Sequence, residues 1–111
     1  MGPGDLCSVE FDEGEYRVVK ILATGDGMVH VRLYADRFGE RPFHVDPARL
    51  DQGATDKYFG IPHLPDSVEN FATWRPGAVG REDVREDELE GYAIWRAASE
   101  ARMKPGLIGR R

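Results

Sequence analysis

A mainly β fold with one C-terminal helix is the class this sequence predicts: a small, bent antiparallel β-barrel, an extended wrap over it, and one amphipathic α-helix. Residues 28–34 alternate strictly, with Val29, Val31 and Leu33 on one face and His30, Arg32 and Tyr34 on the other, the period of a half-buried strand. Thr24-Gly25-Asp26-Gly27 precedes that run, and Asp-Gly supplies the positive φ that tight hairpin turns require. Residues 85–103 are rich in Glu, Leu, Ala and Arg and stop before Pro105-Gly106, as a helix does.

The elements follow in order. Residues 5–11 form a weakly alternating first strand that offers Leu6, Cys7 and Val9 to a core, and Asp12-Glu13-Gly14 is a turn. Residues 16–23 are β-rich with apolar groups on both faces, as in a strand that bends through a barrel. After the hairpin and the alternating strand, residues 35–42 are a polar loop holding Phe38. Phe43-His44-Val45 reads as a short strand, so the expected inner face is Val29, Val31, Leu33, Phe43 and Val45. Asp46-Pro47-Ala48-Arg49-Leu50 reads as one helical turn, capped by Asp46 with Pro47 at its first position.

This order of strand, strand, hairpin, strand, loop, short strand and helical turn resembles the small Tudor-like or Src-homology-3-like barrels, in which a short helical turn precedes the closing strand. The resemblance covers the first half of the chain and rests on topology. Members of that class that hold methylated Lys or Arg use a cage of about four aromatics from two loops. The barrel aromatics here are Phe11, Tyr16, Tyr34, Phe38 and Phe43.

The expected organisation is one domain in three parts: a barrel core over 1–53, an irregular wrap over 54–80, and a helix with its tail over 81–111. Over residues 51–80, Gly53, Gly60, Pro62, Pro65, Pro76 and Gly77 leave no room for a long element. Tyr58, Phe59, Ile61, Leu64, Val68, Phe71 and Trp74 are too many large apolar groups for a free linker, and a strand is expected near residues 58–61. In the helix, Leu89, Tyr92, Ala93 and Arg96 share one side, and Trp95, Ala98 and Met103 widen the apolar face. Leu89, Tyr92 and Trp95 are expected to dock on the barrel. Gly91 lowers helix stability by ~1 kcal/mol relative to Ala, so it marks a close packing contact.

Composition narrows the function. The 111 residues are 41% hydrophobic and 32% charged with a formal net charge of −5, a balance poorly suited to a phosphate backbone. The single cysteine, Cys7, cannot form an internal disulfide, which fits a reducing compartment. MGPGDLCSVE has neither the basic nor the apolar region of a secretory signal, and no run approaches the ~20 apolar residues of a membrane span. A cytoplasmic location is expected.

No catalytic constellation is legible. His30, His44 and His63 lack a second His or a Cys at metal-ligand spacing; His30 and His44 are expected side by side on a solvated outer face. Cys7 has no nearby histidine, and Ser8, Ser67 and Ser99 lie in no nucleophile-elbow pattern. No catalytic residue, metal site or cofactor is expected.

Charge is uneven. Residues 81–90 hold six acids and two bases, and residues 91–111 hold five bases and one acid, a polarity that complements the helix dipole. A second acidic run, Glu10, Asp12, Glu13 and Glu15, lies at the first turn. The expected partner is a basic protein met through Glu10, Asp12, Glu13 and Glu15, with Glu82, Asp83, Glu86 and Asp87 as a second patch and Phe38 as an aromatic anchor. An immunity or inhibitor protein that covers the cleft of a nuclease-like toxin fits this expectation. The alternatives are a nucleic-acid-associated barrel using Arg37, Arg41, Lys104, Arg110 and Arg111, and an enzyme without a recognisable site.

Overall fold

A computed structural model describes residues 1–12, 14–51 and 60–103. Five strands, β1 (Asp5–Asp12), β2 (Glu15–Gly25), β3 (Met28–Leu33), β4 (Ile61–Ser67) and β5 (Gly77–Arg81), form one antiparallel sheet in the order β4-β3-β2-β1-β5. Helix α1 (Val68–Thr73) lies between β4 and β5, and α2 (Glu90–Met103) ends the described chain. Short 3-10 turns cover Pro47–Arg49 and Glu86–Leu89.

The β2–β3 connection is the two-residue turn expected from Asp-Gly: Asp26 and Gly27 take φ of 54° and 76° between paired Gly25 and Met28. Register shifts between Glu10 and Asp12, Leu6 and Cys7, Ile21 and Ala23, and Val31 and Leu33 bend the sheet. β4 and β5 remain as edges, so the sheet is bent without full closure. Both edges are guarded. β4 carries Pro62 and Pro65, which lack the N–H another strand would need. On the β5 side the Val45 N–H donates to the Val79 carbonyl at 3.0 Å.

Period-two alternation splits the buried side chains between two faces. Cys7, Val9, Val19, Ile21, Val29, Val31 and Leu33 share one, closed by Phe71 of α1 with Ile61, Leu64 and Trp74. Leu6, Val18 and Tyr34 lie on the other, covered by Val45, Val79, Phe38 and Leu50. The expected inner positions Val29, Val31, Leu33 and Val45 are buried.

Three expectations are corrected. Phe43 is 93% exposed, and residues 43–45 form no strand. This stretch crosses the β5 edge with Val45 as its point of contact, so period-two alternation does not apply to it. The Asp46–Pro47 turn exists, with Asp46 Oδ1 accepting from the Ala48 N–H at 3.0 Å. The helical segment just before the strand that returns to β1 is α1 instead, capped by Ser67 Oγ accepting from Asn70 N–H. Finally, the irregular wrap assigned to 54–80 supplies β4, α1 and most of β5 over its described part, so the sheet extends well past residue 53. Prolines that read as breakers are compatible with an edge strand, where the missing N–H leaves no ladder bond unmade. Of the strand expected near 58–61, β4 begins at Ile61, and residues 52–59 lie outside the described residues.

Candidate functional site

The site is built on the sheet face opposite α1. Lys20 shares that face with Val18 and is fully buried in the middle of β2. Its ammonium donates to Glu82 Oε1 at 2.8 Å, to Glu88 Oε1 at 2.8 Å and to the Asp83 carbonyl at 2.9 Å. All three N–H donors are therefore satisfied, as a buried ammonium requires. Glu88 is set in place by the 3-10 turn, where its Oε1 also accepts from the Arg85 N–H at 2.9 Å. Its Oε2 faces the guanidinium groups of Arg85 at 3.5 Å and Arg32 at 3.7 Å. Burial opposes the charged form of Glu88, but the Arg85 N–H, Lys20 and the Arg85 guanidinium outweigh it and hold its pKa below the usual carboxylate range. Nearby Tyr34 is pushed up to about 12 by burial and by the charges of Glu88 and Glu82. This cluster pins the start of the C-terminal segment to the sheet.

One turn further on, α2 covers two histidines. His30 on β3 is 2% exposed, because α2 lies over what would otherwise be a solvated face. His63 on β4 has the same orientation; the rings are within 8° of parallel, with His30 Nδ1 and His63 Nε2 3.0 Å apart. Tyr92 and Trp95 meet the His30 ring edge-on at 4.6 and 4.5 Å. Gly91 permits this approach: a Cβ there would lie 2.6 Å from the Cβ of His63. Burial lowers both histidine pKa values, and the neighbouring His63 lowers that of His30 further. The expected pairing of His30 with His44 is thus corrected. β4, not residues 43–45, lies beside β3, so His63 meets His30 and His44 stays exposed. The docking expectation holds for Tyr92 and Trp95; Leu89 is half-buried beside them.

A groove opens between the β2–β3 turn and α2. It encloses about 480 Å³, with Thr24, Gly25, Asp26 and Met28 on one wall and Tyr92, Trp95, Arg96, Ser99 and Glu100 on the other; His30 also lines it. Tyr92 and Trp95 are nearly parallel, 18° apart with centroids at 6.5 Å. Arg96 donates to the Tyr92 hydroxyl at 2.9 Å and pairs with Glu100 at 3.5 Å. Asp26 has no ion-pair partner among the described residues.

The residues expected to bind a partner are distributed differently from one acidic surface. Glu10 pairs with Arg75, Glu15 with Arg37 at 3.2 Å, and Asp87 with Arg85 at 3.2 Å. Glu82 is committed to Lys20, and Asp83 lies 3.9 Å from Arg81. Glu86 is exposed without an ion pair among the described residues. Glu13 lies outside them, and Asp12 is placed only as the end of β1. The two runs stand at opposite ends of β1: the Glu82 N–H bonds to Gly4 and the Glu10 N–H to Trp74, a separation of roughly 20 Å along the strand. Phe38 bridges to Tyr16 through paired backbone bonds of 2.9 Å and packs against the second core cluster. Tyr34 is buried, Tyr16 lies under the Arg41 guanidinium at 5.0 Å, and Phe43 faces solvent, which disperses the barrel aromatics. Arg41 also donates to Ser8 Oγ at 2.7 Å, so the loop cations Arg37 and Arg41 are both engaged; Lys104, Arg110 and Arg111 lie outside the described residues.

Cys7 is buried, and burial pushes its thiol up to about 11, far from a reactive thiolate at neutral pH. Ser67 caps α1. Among the described residues no three His, Cys, Asp or Glu side chains converge as a metal site, and no helix is long and apolar enough to cross a membrane.

The Lys20 cluster, the His30–His63 pair and the groove join residues far apart in the sequence. A lysine inside the apolar run VVKILA was a signal for a buried ion pair, and Gly91 was a signal for the helix contact. Nothing in sequence spacing joins Asp26 to Trp95. No protein-family model, curated protein or solved structure matches this chain.

Proposed function

We propose that this protein is a non-catalytic protein-binding module whose partner is basic, in the manner of an immunity or inhibitor protein that neutralises a nuclease-like toxin. The observation that carries the reading is the groove between the β2–β3 turn and α2, which combines Trp95 and Tyr92 with the Asp26 carboxylate, without an ion pair among the described residues. Mixed aromatic and polar concavities are the usual anchors of protein interfaces. The net charge of −5 adds long-range attraction for a basic partner. The buried ionisable groups support the same reading, since Lys20 bonds to Glu88 and His30 to His63 where α2 and the turn before it meet the sheet. The dispersed acidic runs then act in steering more than in contact.

Affinity capture from the native host, followed by stopped-flow association with the purified partner, tests this proposal. The expected partner is a protein of net positive charge, and its association rate falls steeply as salt rises, because screening shortens the field to about 8 Å at physiological ionic strength. A neutral or acidic partner, or a rate indifferent to salt, contradicts the reading.

A further inference from the structure

We infer that the groove receives an arginine side chain of the partner, its guanidinium against Trp95 and its fork on the Asp26 carboxylate. This inference rests on the binding-module reading and specifies its chemistry. The groove volume of about 480 Å³ suits a long side chain with its flanking backbone. The face of an indole is the strongest aromatic site for a cation, and Trp95 lines this wall with Tyr92 nearly parallel to it.

The opposite wall supplies the charge. Asp26 sits at the tip of a two-residue turn with φ of 54°, so the hairpin fixes its backbone, and no cation of the described chain neutralises it. The groove already accommodates a guanidinium at its rim: Arg96 bonds to the Tyr92 hydroxyl and pairs with Glu100. An incoming arginine meets a carboxylate, Asp26, on the opposite wall. Burial disfavours the charged form of His30, which also lines the groove. Lysine fits less well, because its strongly hydrated ammonium neither stacks on an indole nor forks onto a carboxylate.

The test is amide and indole chemical-shift mapping on the full chain, titrated with the blocked peptide Gly-Arg-Gly and its lysine and citrulline counterparts. The arginine peptide is expected to shift Asp26, Gly27, Met28, Ser99 and the Trp95 indole N–H. Lysine should bind more weakly, and citrulline, isosteric but uncharged, should leave these signals in place. Asp26→Asn tolerates the same turn conformation and should weaken arginine binding about tenfold. Equal shifts with citrulline, shifts centred on Glu86 and Asp87, or no shifts at millimolar peptide overturn the inference. Shifts of the same signals with protein concentration alone would assign the groove to a second copy and overturn it too. The two levels fail separately: a basic partner that binds the parent and Asp26→Asn equally well removes the arginine assignment and leaves the binding-module reading intact.

Discussion

Lys20 Nζ stands 2.8 Å from Glu88 Oε1, joining the centre of β2 to the turn that launches α2. Both side chains are almost wholly buried. Removing either one strips a 2.8 Å ion pair from a charge held in the interior, Lys20 keeping Glu82 and Glu88 keeping Arg85 and Arg32, which costs up to about 3–5 kcal/mol. Lys20→Met is therefore expected to lower unfolding free energy by that amount in urea titrations. The double variant Lys20→Met with Glu88→Leu should recover much of the loss, since no charge is then stranded. A single variant as stable as the parent would show that the pair does not hold the segment.

Gly91→Ala is expected to destabilise the protein although Ala is the better helix former by about 1 kcal/mol. The added Cβ would meet the Cβ of His63 at 2.6 Å, a contact with a main-chain-proximal atom that no rotamer change relieves. Overpacking of this kind costs about 1–3 kcal/mol. For the same reason His63→Ala should not rescue the variant, whereas His63→Gly should. A raised melting temperature for Gly91→Ala would place α2 farther from β4 than described.

Much of this was legible in the sequence. Val29, Val31 and Leu33 announce their face because both neighbours of β3 are strands, and Asp26-Gly27 announces the turn because its backbone demands are local. Phe43 misleads because alternation has meaning only in a paired strand. His30 misleads for the opposite reason: it is on the predicted outer face, but that face is covered by a helix distant in the chain. The groove is not legible at all, because Asp26 and Trp95 come to line it through packing and not through spacing.

Stability should fall as pH drops below about 6.5. His30 and His63 have pKa values below the ordinary 6.5, chiefly from burial. The unfolded chain therefore takes up protons in a range where the native pair does not, so stability decreases with falling pH there. Replacing both residues by Gln should flatten this part of the profile, read by denaturant titration at steps from about pH 8 to about pH 5. Glu88 acts in a lower window: its depressed pKa supports stability above about 4.5 and loses that support as pH falls below it. A parent profile that is flat between about pH 7 and about pH 5.5 would contradict the buried pairing.

Whether the α2 groove is the binding face shows in the dissociation constants of two aromatic variants for the captured partner. Trp95 lines the groove, whereas Phe43 is the large aromatic left 93% exposed on the loop beyond β3. Trp95→Ala, checked for folding by its circular-dichroism melt, is expected to weaken binding about thirtyfold or more, the effect of losing a buried anchor. Phe43→Ala should stay within about twofold of the parent. The reverse pattern, with Phe43→Ala crippling the complex and Trp95→Ala leaving it intact, would rule out the α2 groove and move the binding face to the 34–50 loop.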